Sequence, residues 1–330
     1  MPEPRWPVPF ESFVDWALYD PDTGFYTAGG KAGRGGDFIT APEVGPLFGG
    51  VVARALDSWW VAAGRPDPFV VVDAGAGPGT LGRSVRRARP GCSAAMNWIA
   101  VERCAPQRVT HPDGVVSAAE LPMVAHVIIA NELLDNLAFG LLVHDGQWRE
   151  AWVDRSGGRL VEVLRAATVL PTGLPQQALH GARCPVQGSA AAWVVDARRR
   201  LAPGGRLVVF DYTSTTASMA GRPWREWLRT YRGHMRGDHY LTNAGSQDIT
   251  ADVAVDQLPP TDIVRTQAQW LSEFGIDDLV DTGRRVWAER AGIGDLVAIE
   301  ARSRVREAEA LCDPSGLGAH SVLEWSGSAV

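Results

Sequence analysis

Paired cysteines are missing from this chain of 330 residues. Its four cysteines, at positions 92, 104, 184 and 312, are scattered, with no C-x-x-C pair and no histidine at ligand spacing. This pattern argues against a disulfide framework and a cysteine-based metal motif, and it favours reduced, mostly buried thiols. We therefore predict no metal site and a cytoplasmic location.

Long apolar runs are absent as well. No stretch approaches 18 consecutive apolar residues, and the first residues lack the apolar core of a signal peptide. The net charge of −6 does not favour wholesale binding to nucleic acid or to a membrane surface, so we expect neither as a partner. Lysine is nearly missing: Lys31 is alone among 32 basic residues, which indicates a GC-rich, bacterial genome rather than a function. The composition leaves the oligomeric state open.

A glycine-rich segment after a strong apolar run carries the most information. The residues Phe69–Val72 predict a buried central strand, and Gly75, Gly77 and Gly79 follow it at G-x-G-x-G spacing. Glycines in such a loop let the backbone turn sharply and approach a nucleotide-like ligand. Thr80 is the predicted N-cap of the helix that follows.

Asp73, two residues before the first of these glycines, favours one class of ligand. A dinucleotide fingerprint has the spacing G-x-G-x-x-G and holds a pyrophosphate at a helix N-terminus. Here a carboxylate stands where the phosphates would lie. A cationic ligand without phosphates suits it better, and S-adenosyl-L-methionine (SAM), with its sulfonium and ammonium groups, is such a ligand. An NAD-dependent oxidoreductase is a distant alternative.

Strands and helices alternate along the chain. This predicts an α/β fold with a doubly wound, mostly parallel, seven-stranded class I methyltransferase sheet and a C-terminal antiparallel hairpin. We divide the chain into an N-terminal helical extension (1–65) with a G-D-F loop and a SAM-binding domain (66–330), with insertions at about 138–185 and 213–300. The predicted strands are 69–73, 96–102, 115–116, 125–130 and 206–211, a hairpin at 140–153, and terminal strands at 304–312 and 320–325; the predicted helices are 10–19, 42–63, 80–89, 189–202, 267–275 and 283–291.

Acidic and amide side chains follow several predicted strands, where ligands of such sheets bind. Glu102 closes the second strand, and we expect it to accept the ribose hydroxyls, although a solvated acid is the simpler alternative. Glu120 and Leu121, after the third strand, occupy the expected position of an adenine pocket. Asn131 ends the fourth strand and is counted with the cofactor-binding residues.

Three carboxylates near the expected methyl donor are candidate catalytic residues. Glu132 and Asp135 lie three positions apart, so they would share one face of a helical turn and could orient a cationic acceptor or take its proton. Acids that complement a helix dipole are the alternative. Asp211, which ends a later strand, is counted with them, and Tyr212 beside it is predicted to contact the acceptor.

Two glycine-containing segments are predicted lids, because methyl transfer mainly requires positioning and exclusion of water. The first, 35–40, contributes Asp37, Phe38 and Thr40 to the predicted cofactor site. The second, 213–254, is polar and irregular. We expect its Arg229, Tyr231 and His234 to shape the acceptor pocket, the alternative being a surface excursion on the far side of the fold.

Several of these segments together resemble the MidA-like SAM-dependent methyltransferases, over nearly the whole chain. The matching segments are 18–26 (L-Y-D-P-x-x-G-F-Y), 36–43 (G-D-F-I-T-A-P-E), 48–49, the glycine loop, 131–135 (N-E-L-L-D), 211–212, 228–231 with 234, 248–251 (D-I-T-A) and 266–267. The resemblance implies SAM binding. One mitochondrial member is associated with arginine dimethylation of a partner protein, so it also implies a protein acceptor by analogy.

The chain departs from this family's pattern next to the expected acceptor pocket. The residues Asn136–Phe139 lack the usual proline, Thr213 replaces a glycine, and Asp73 replaces a glutamate. These departures bear on the identity of the acceptor more than on SAM binding. The leading hypothesis is a SAM-dependent methyltransferase that modifies a protein, with arginine as the candidate residue. The alternatives are a small-molecule methyltransferase and a SAM-binding assembly factor with little catalysis.

Overall fold

The computed structural model describes residues 4–30 and 39–327. The strands are β1 (Val8–Pro9), β2 (Phe69–Ala74), β3 (Met96–Val101), β4 (Val116–Ala118), β5 (Ala125–Asn131), β6 (Gly140–His144), β7 (Trp148–Ser156), β8 (Arg159–Ala166), β9 (Arg183–Val186), β10 (Leu201–Asp211), β11 (Thr213–Ser214), β12 (Leu228–Arg232), β13 (Met235–Arg236), β14 (Asp248–Ala251), β15 (Val253–Ala254), β16 (Ile263–Thr266) and β17 (Ser321–Ser326).

Helices cover both faces of the sheet that these strands build. They are α1 (Phe10–Tyr19), α2 (Ala41–Val44), α3 (Pro46–Ala62), α4 (Thr80–Ala88), α5 (Ala105–Arg108), α6 (Gly188–Arg199), α7 (Thr216–Ala220), α8 (Gln267–Glu273), α9 (Ile276–Arg290) and α10 (Leu296–Leu311). Short 3-10 turns lie at Gly91–Ala94, Leu134–Asn136, Trp224–Glu226, Val255–Gln257 and Leu317–Ala319. Among the described residues, none of these helices combines the length and the apolarity needed to cross a bilayer.

The central sheet has seven strands in the order β16-β17-β10-β5-β2-β3-β4. β17 is antiparallel to both of its neighbours, and the pairs from β10 to β4 are parallel. Its inner strands are apolar on both faces, as a sheet covered by helices requires; Val71, Val72 and Ile128 are fully buried. The predicted fold class is confirmed. The chain leaves the centre in opposite directions at β2 and β5, which creates the switch point where ligands bind.

The C-terminal antiparallel pair exists, but one of its strands was predicted in the wrong place. The segment 304–312 belongs to α10, and β17 pairs with β16, which lies before three helices. The small and apolar residues of α10 recur every three or four positions and pack on the core, which is helical spacing (Ala298, Ala301, Val305, Ala308 and Leu311). Because β16 lies within 213–300, the predicted insertion there includes an edge strand of the central sheet.

Three smaller sheets accompany the central one in the described part of the chain. β6 and β7 form the predicted hairpin within a sheet ordered β1-β7-β6-β9, with β8 paired to β7. The segment 213–254 is not irregular as predicted, because it contains the sheet β13-β12-β14 and the pair β11-β15. Its aromatic residues form a core rather than a loose lid: Trp227 and Tyr240 are fully buried in one cluster with Phe10 and Phe13 of α1.

The predicted helix 42–63 is broken at Gly45 into α2 and α3. The carboxylate of Glu307 on α10 accepts hydrogen bonds from the Leu47 N–H at 2.9 Å and from the Ser303 hydroxyl at 2.6 Å. It therefore satisfies one of the free amides at the start of α3. A Cβ at Gly45 would stand 2.3 Å from the Glu307 carboxyl carbon, so only glycine leaves room for this contact.

We expect Gly45→Ala to lower the free energy of unfolding by about 1–3 kcal/mol, because its methyl group would overlap the buried Glu307 carboxylate. Urea denaturation measures this. The matched control is Gly50→Ala in α3, whose Cβ would lie 3.5 Å from its nearest neighbour, and which we expect to stabilise the helix by about 0.5–1 kcal/mol. Equal stability of Gly45→Ala and the parent would contradict this account.

Candidate active site

A cavity of about 510 Å³ lies at the carboxyl ends of β2 and β5, at the switch point of the central sheet. The parallel strands deliver their terminal side chains to this one edge. Nine of the residues predicted from the sequence line it: Thr40, Asp73, Gly75, Gly77, Thr80, Glu102, Glu120, Asn131 and Glu132. Gly79 and Leu121 are not among its lining residues. Asp37 and Phe38 lie outside the described residues.

The glycine loop has the backbone geometry that its sequence predicts. Gly75, Gly77 and Gly79 have φ of 72°, 51° and 78°, in the left-handed region that favours glycine. Thr80 is not the N-cap, because Gly79 takes that position and Thr80 is the first residue of α4. The Thr80 hydroxyl instead accepts a hydrogen bond from Arg83 at 2.9 Å.

Asp73 is the best evidence that the first cavity fits a cationic ligand. Its carboxylate is 3% exposed, lines the cavity, and has one oxygen, Oδ2, with no hydrogen-bond partner among the described residues. Burial, together with the charge of Glu102, raises the pKa of Asp73 to about 7. A buried, unpartnered acceptor is unfavourable until it meets a donor, and the ammonium group of SAM is a donor of the right charge.

Glu102 connects the glycine loop to the segment that follows β3 through two hydrogen bonds. Its Oε2 accepts a hydrogen bond from the Gly77 N–H at 3.0 Å, and its Oε1 accepts one from the Cys104 N–H at 2.8 Å. Its contact with a ribose stays a prediction. Glu120 is exposed at the cavity edge, whereas Leu121 packs against the core and its carbonyl accepts a hydrogen bond from Arg200. Leu121 therefore does not line the first cavity, where the sequence predicted that it would contribute to an adenine pocket.

A second cavity, of about 320 Å³, adjoins the first. Glu132 and Asn136 line both, so the turn after β5 forms the wall that the two cavities share. The second cavity brings together residues from distant segments: Ile39, Glu132, Asp135, Asn136, Tyr212, Tyr231, His234, Asp248 and Thr250. The predicted contribution of Tyr231 and His234 to an acceptor pocket is compatible with this position.

Three carboxylates meet in the second cavity. Burial and the nearby charge of Asp135 raise the pKa of Glu132 to about 8 and that of Asp248 to about 7, and burial raises the pKa of Asp135 itself. The described residues contain no cluster suited to a metal ion. A cavity in which carboxylates hold protons for lack of a counter-charge offers a favourable site to an organic cation.

Each of these carboxylates is held by a neutral donor. The Tyr212 hydroxyl donates to Glu132 at 3.3 Å, and the Thr250 hydroxyl donates to Asp135 at 2.5 Å. Asp248 accepts hydrogen bonds from the Tyr26 hydroxyl and the Asn136 amide, both at 3.1 Å. Such contacts fix the directions of the carboxylates without neutralising them.

Asp211 is close to this site but lines neither cavity. It is fully buried, and its Oδ2 accepts hydrogen bonds from the N–H groups of Leu134 at 2.9 Å and Asp135 at 3.4 Å. Its other oxygen accepts the Tyr212 N–H at 2.9 Å. The structure therefore gives Asp211 a positioning role, in contrast to the catalytic role predicted from the sequence.

Arg229 also acts through a neighbour. It forms an ion pair with Asp252 at 2.7 Å, and its guanidinium lies 4.9 Å from the centre of the Tyr212 ring. His320 packs against the same ring at 4.1 Å. Held by these contacts, Tyr212 points its hydroxyl at Glu132. Arg229 is thus a support for Tyr212 and is not among the residues that line the second cavity.

Some lining residues were not predicted. Tyr19 and Tyr26 lie in the first cavity with stacked rings 5.4 Å apart, and Asp248 and Thr250 lie in the second. Their signal was present in two of the matching segments, 18–26 and 248–251, which lie far apart in the sequence. The hydrogen bond from the Tyr26 hydroxyl to Asp248, at 3.1 Å, shows that these segments belong to one site.

The fold and the glycine-loop cavity define a class I SAM-dependent methyltransferase. The family described as "Putative S-adenosyl-L-methionine-dependent methyltransferase" matches residues 51–272, and the chain belongs to this family. A protein from Burkholderia thailandensis, whose crystal structure contains S-adenosyl-homocysteine, is 25% identical in sequence to this chain. The two structures superpose with a TM-score of 0.80. That comparison covers 98% of this chain and 89% of the other.

Named relatives include protein arginine methyltransferases called NDUFAF7. The Drosophila melanogaster mitochondrial homolog is 25% identical over 292 residues, which cover 75% of this chain and 64% of the relative. The Xenopus laevis mitochondrial protein is 26% identical over 330 residues, covering 82% of this chain and 71% of the relative. The chain therefore spans less than two thirds of the length of the Drosophila relative.

We expect Asp73→Asn to weaken SAM binding at least about 10-fold at about pH 8, because it removes a charged acceptor worth roughly 1.5–3 kcal/mol. Isothermal titration calorimetry measures this, with the exposed Asp145→Asn as the control.

A second measurement on the same variant is the free energy of unfolding as a function of pH. The folded-state pKa of Asp73, about 7, exceeds the unfolded value of about 3.9. The stability due to its proton is complete below pH ~4 and is lost as the pH rises through about 7, and the variant should lack this part of the decline. Unchanged SAM affinity would refute the assignment.

Arg229→Ala should reduce kcat by about 10-fold while SAM affinity stays near that of the parent, because Tyr212 loses one of its two supports. Loss of this positive charge should also raise the pKa of Asp135, because the Arg229 guanidinium lowers it in the parent. The control is Arg222→Ala. Arg222 pairs with the same Asp252, at 2.7 Å, but within the described residues it forms no hydrogen bond or cation–π contact with Tyr212. Equal kinetics of the two variants would contradict the role.

Proposed function

We propose that this protein transfers a methyl group from SAM to a guanidinium nitrogen of an arginine in a protein acceptor. The observation that carries the proposal is the second cavity, which adjoins the cofactor cavity and is lined by the carboxylates of Glu132, Asp135 and Asp248. The relatives named as protein arginine methyltransferases support the same acceptor.

The chemistry of the second cavity favours a guanidinium over other acceptors. A guanidinium is planar, always charged, and carries five N–H donors in a fixed fork, so it can satisfy several carboxylates at once. The aromatic side chains of Tyr212 and Tyr231 line the same cavity, and aromatic rings attract a flat cation. An uncharged small molecule would supply no counter-charge to these carboxyl groups, whose ionised forms are unfavourable in the cavity.

The residues divide the work of binding and proton transfer. SAM supplies a methyl group that its sulfonium has already activated. Asp73 and Glu102 hold the donor, while Asp135 and Asp248 orient the guanidinium. A guanidinium nitrogen that gains a methyl group must lose a proton. Glu132 lies where the two cavities meet, and we assign it as the base that accepts this proton.

The mouth of the second cavity also supports a macromolecular acceptor. Ile39 is 46% exposed, and His234 is exposed as well, so the lining reaches the surface of the protein. An arginine side chain could enter from there while the rest of its chain stays outside. Once occupied, the cavity excludes water from the reacting atoms, which strengthens each charge contact inside it.

To test this, methyl-tritiated SAM and the purified protein are incubated with an extract from a strain that lacks the protein. We expect a labelled protein band whose acid hydrolysate contains methylarginine. A labelled small molecule would instead favour the small-molecule alternative. Intact SAM binding without transfer to any component would favour an assembly factor.

The variant Glu132→Gln belongs in the same assay. We expect its turnover to fall about 10²–10⁴-fold with unchanged SAM affinity, because the shape is kept and the base is lost. The kcat/KM of the parent should rise with pH through about 8 as Glu132 loses its proton, and the variant should lack this limb. The control is Glu150→Gln on β7, outside both cavities. Normal turnover of Glu132→Gln would remove it from the mechanism.

A further inference from the structure

The sign of the charge changes between the floor of the second cavity and its mouth. On the β13-β12-β14 sheet, Tyr231 stands directly opposite Asp248 on one side and Arg236 on the other. Residues directly opposite each other in antiparallel strands point to the same face. One row therefore runs from the buried Asp248, through the half-buried Tyr231, to the exposed Arg236.

The end of β12, the turn after it and the short β13 form a small basic surface, which we call the basic tip (residues 232–236). All five residues are exposed, Arg232, His234 and Arg236 are among them, and none is acidic. His234 also lines the second cavity, so the basic tip forms part of its rim. The Met235 side chain, 72% exposed, adds an apolar contact.

The charges of the basic tip are not neutralised by the protein itself. Among the described residues, Arg232 and Arg236 have no carboxylate partner; Arg236 donates to the neutral carbonyl of Arg225 at 2.7 Å. The nearby acids do not form ion pairs with the basic tip. Asp252 pairs with Arg229 at 2.7 Å, and Asp238 accepts a hydrogen bond from the neutral Asn243 amide at 3.2 Å.

From this arrangement we infer that the basic tip is a docking surface for acidic residues that flank the acceptor's arginine. The inference rests on the proposed arginine acceptor. In an extended peptide each residue advances about 3.3 Å, so when one arginine fills the cavity its near neighbours lie over the rim. Acidic neighbours would meet Arg232 and Arg236, and basic neighbours would be repelled by them.

The two charged regions select different parts of the same acceptor. The carboxylate floor selects the cation that is methylated, and the basic tip selects the sequence around it. Because the whole chain carries a net charge of −6, an acidic peptide would be repelled by much of the surface, and the basic tip offers a local exception. Specificity would then combine attraction at the rim with repulsion of arginine-rich segments.

The experiment uses three short synthetic peptides with the full-length protein and labelled SAM. Each peptide has one central arginine, and its flanking residues are all glutamate, all glutamine or all lysine. We expect kcat/KM to be about 5-fold higher for the glutamate peptide than for the glutamine peptide, from two exposed ion pairs, and lowest for the lysine peptide. The differences should shrink in about 1 M salt, because exposed charges are screened.

The variant Arg232→Glu/Arg236→Glu should reverse the order of the three peptides without changing SAM affinity. The matched control is Arg199→Glu/Arg306→Glu, which changes the net charge equally at two exposed positions, on α6 and α10, and should keep the parent's order. Equal kcat/KM for the three peptides, or the same order in both variants, would overturn the docking surface alone. Methylation of none of them by the parent would overturn the arginine acceptor as well.

Discussion

The hydrogen bonds of the Asp211 carboxylate are the constraint on which the site depends. This buried group at the end of β10 holds the N–H groups of Leu134 and Asp135, and so fixes the turn after β5. That turn is the wall between the two cavities. Within it, Glu132 has a φ of 50°, a conformation that persists in a non-glycine residue only where its surroundings hold it. The Glu132 N–H also fixes this turn to β10, because it donates a hydrogen bond to the Phe210 carbonyl at 2.8 Å.

Function and stability oppose each other at this edge of the sheet. Asp73, Glu132 and Asp248 are buried so far that their pKa values rise to about 7, 8 and 7. Burial makes the ionised forms of these groups unfavourable, and a cationic ligand would give them a counter-charge. The burial of large apolar clusters on both faces of the central sheet offsets this loss of folding free energy. These clusters consist of apolar side chains. The folded small sheets add a third cluster around α1.

The sequence predicted well wherever the signal was local. The strand at 69–73 and its glycine loop were identified because apolar β-formers and left-handed turn positions are properties of neighbouring residues. The pairing of β16 with β17 was missed because three helices separate the two strands. The positions of Asp211 and Arg229, which line neither cavity, were missed for a related reason. A charged residue at a strand end can face a cavity or a backbone, and sequence spacing does not distinguish the two.

The sequence by itself determined the class of fold, the glycine loop and the preference of Asp73 for a cationic ligand. Strand burial, turn geometry and the charge of a ligand site can all be read from short stretches of residues. Only the tertiary structure decided which carboxylates share a cavity. Asp135 comes from the turn after β5 and Asp248 from β14, and they meet because β14 packs beside that turn. Electrostatic coupling between such groups depends on distance in space, through a medium of low polarity, and separation along the chain does not encode it.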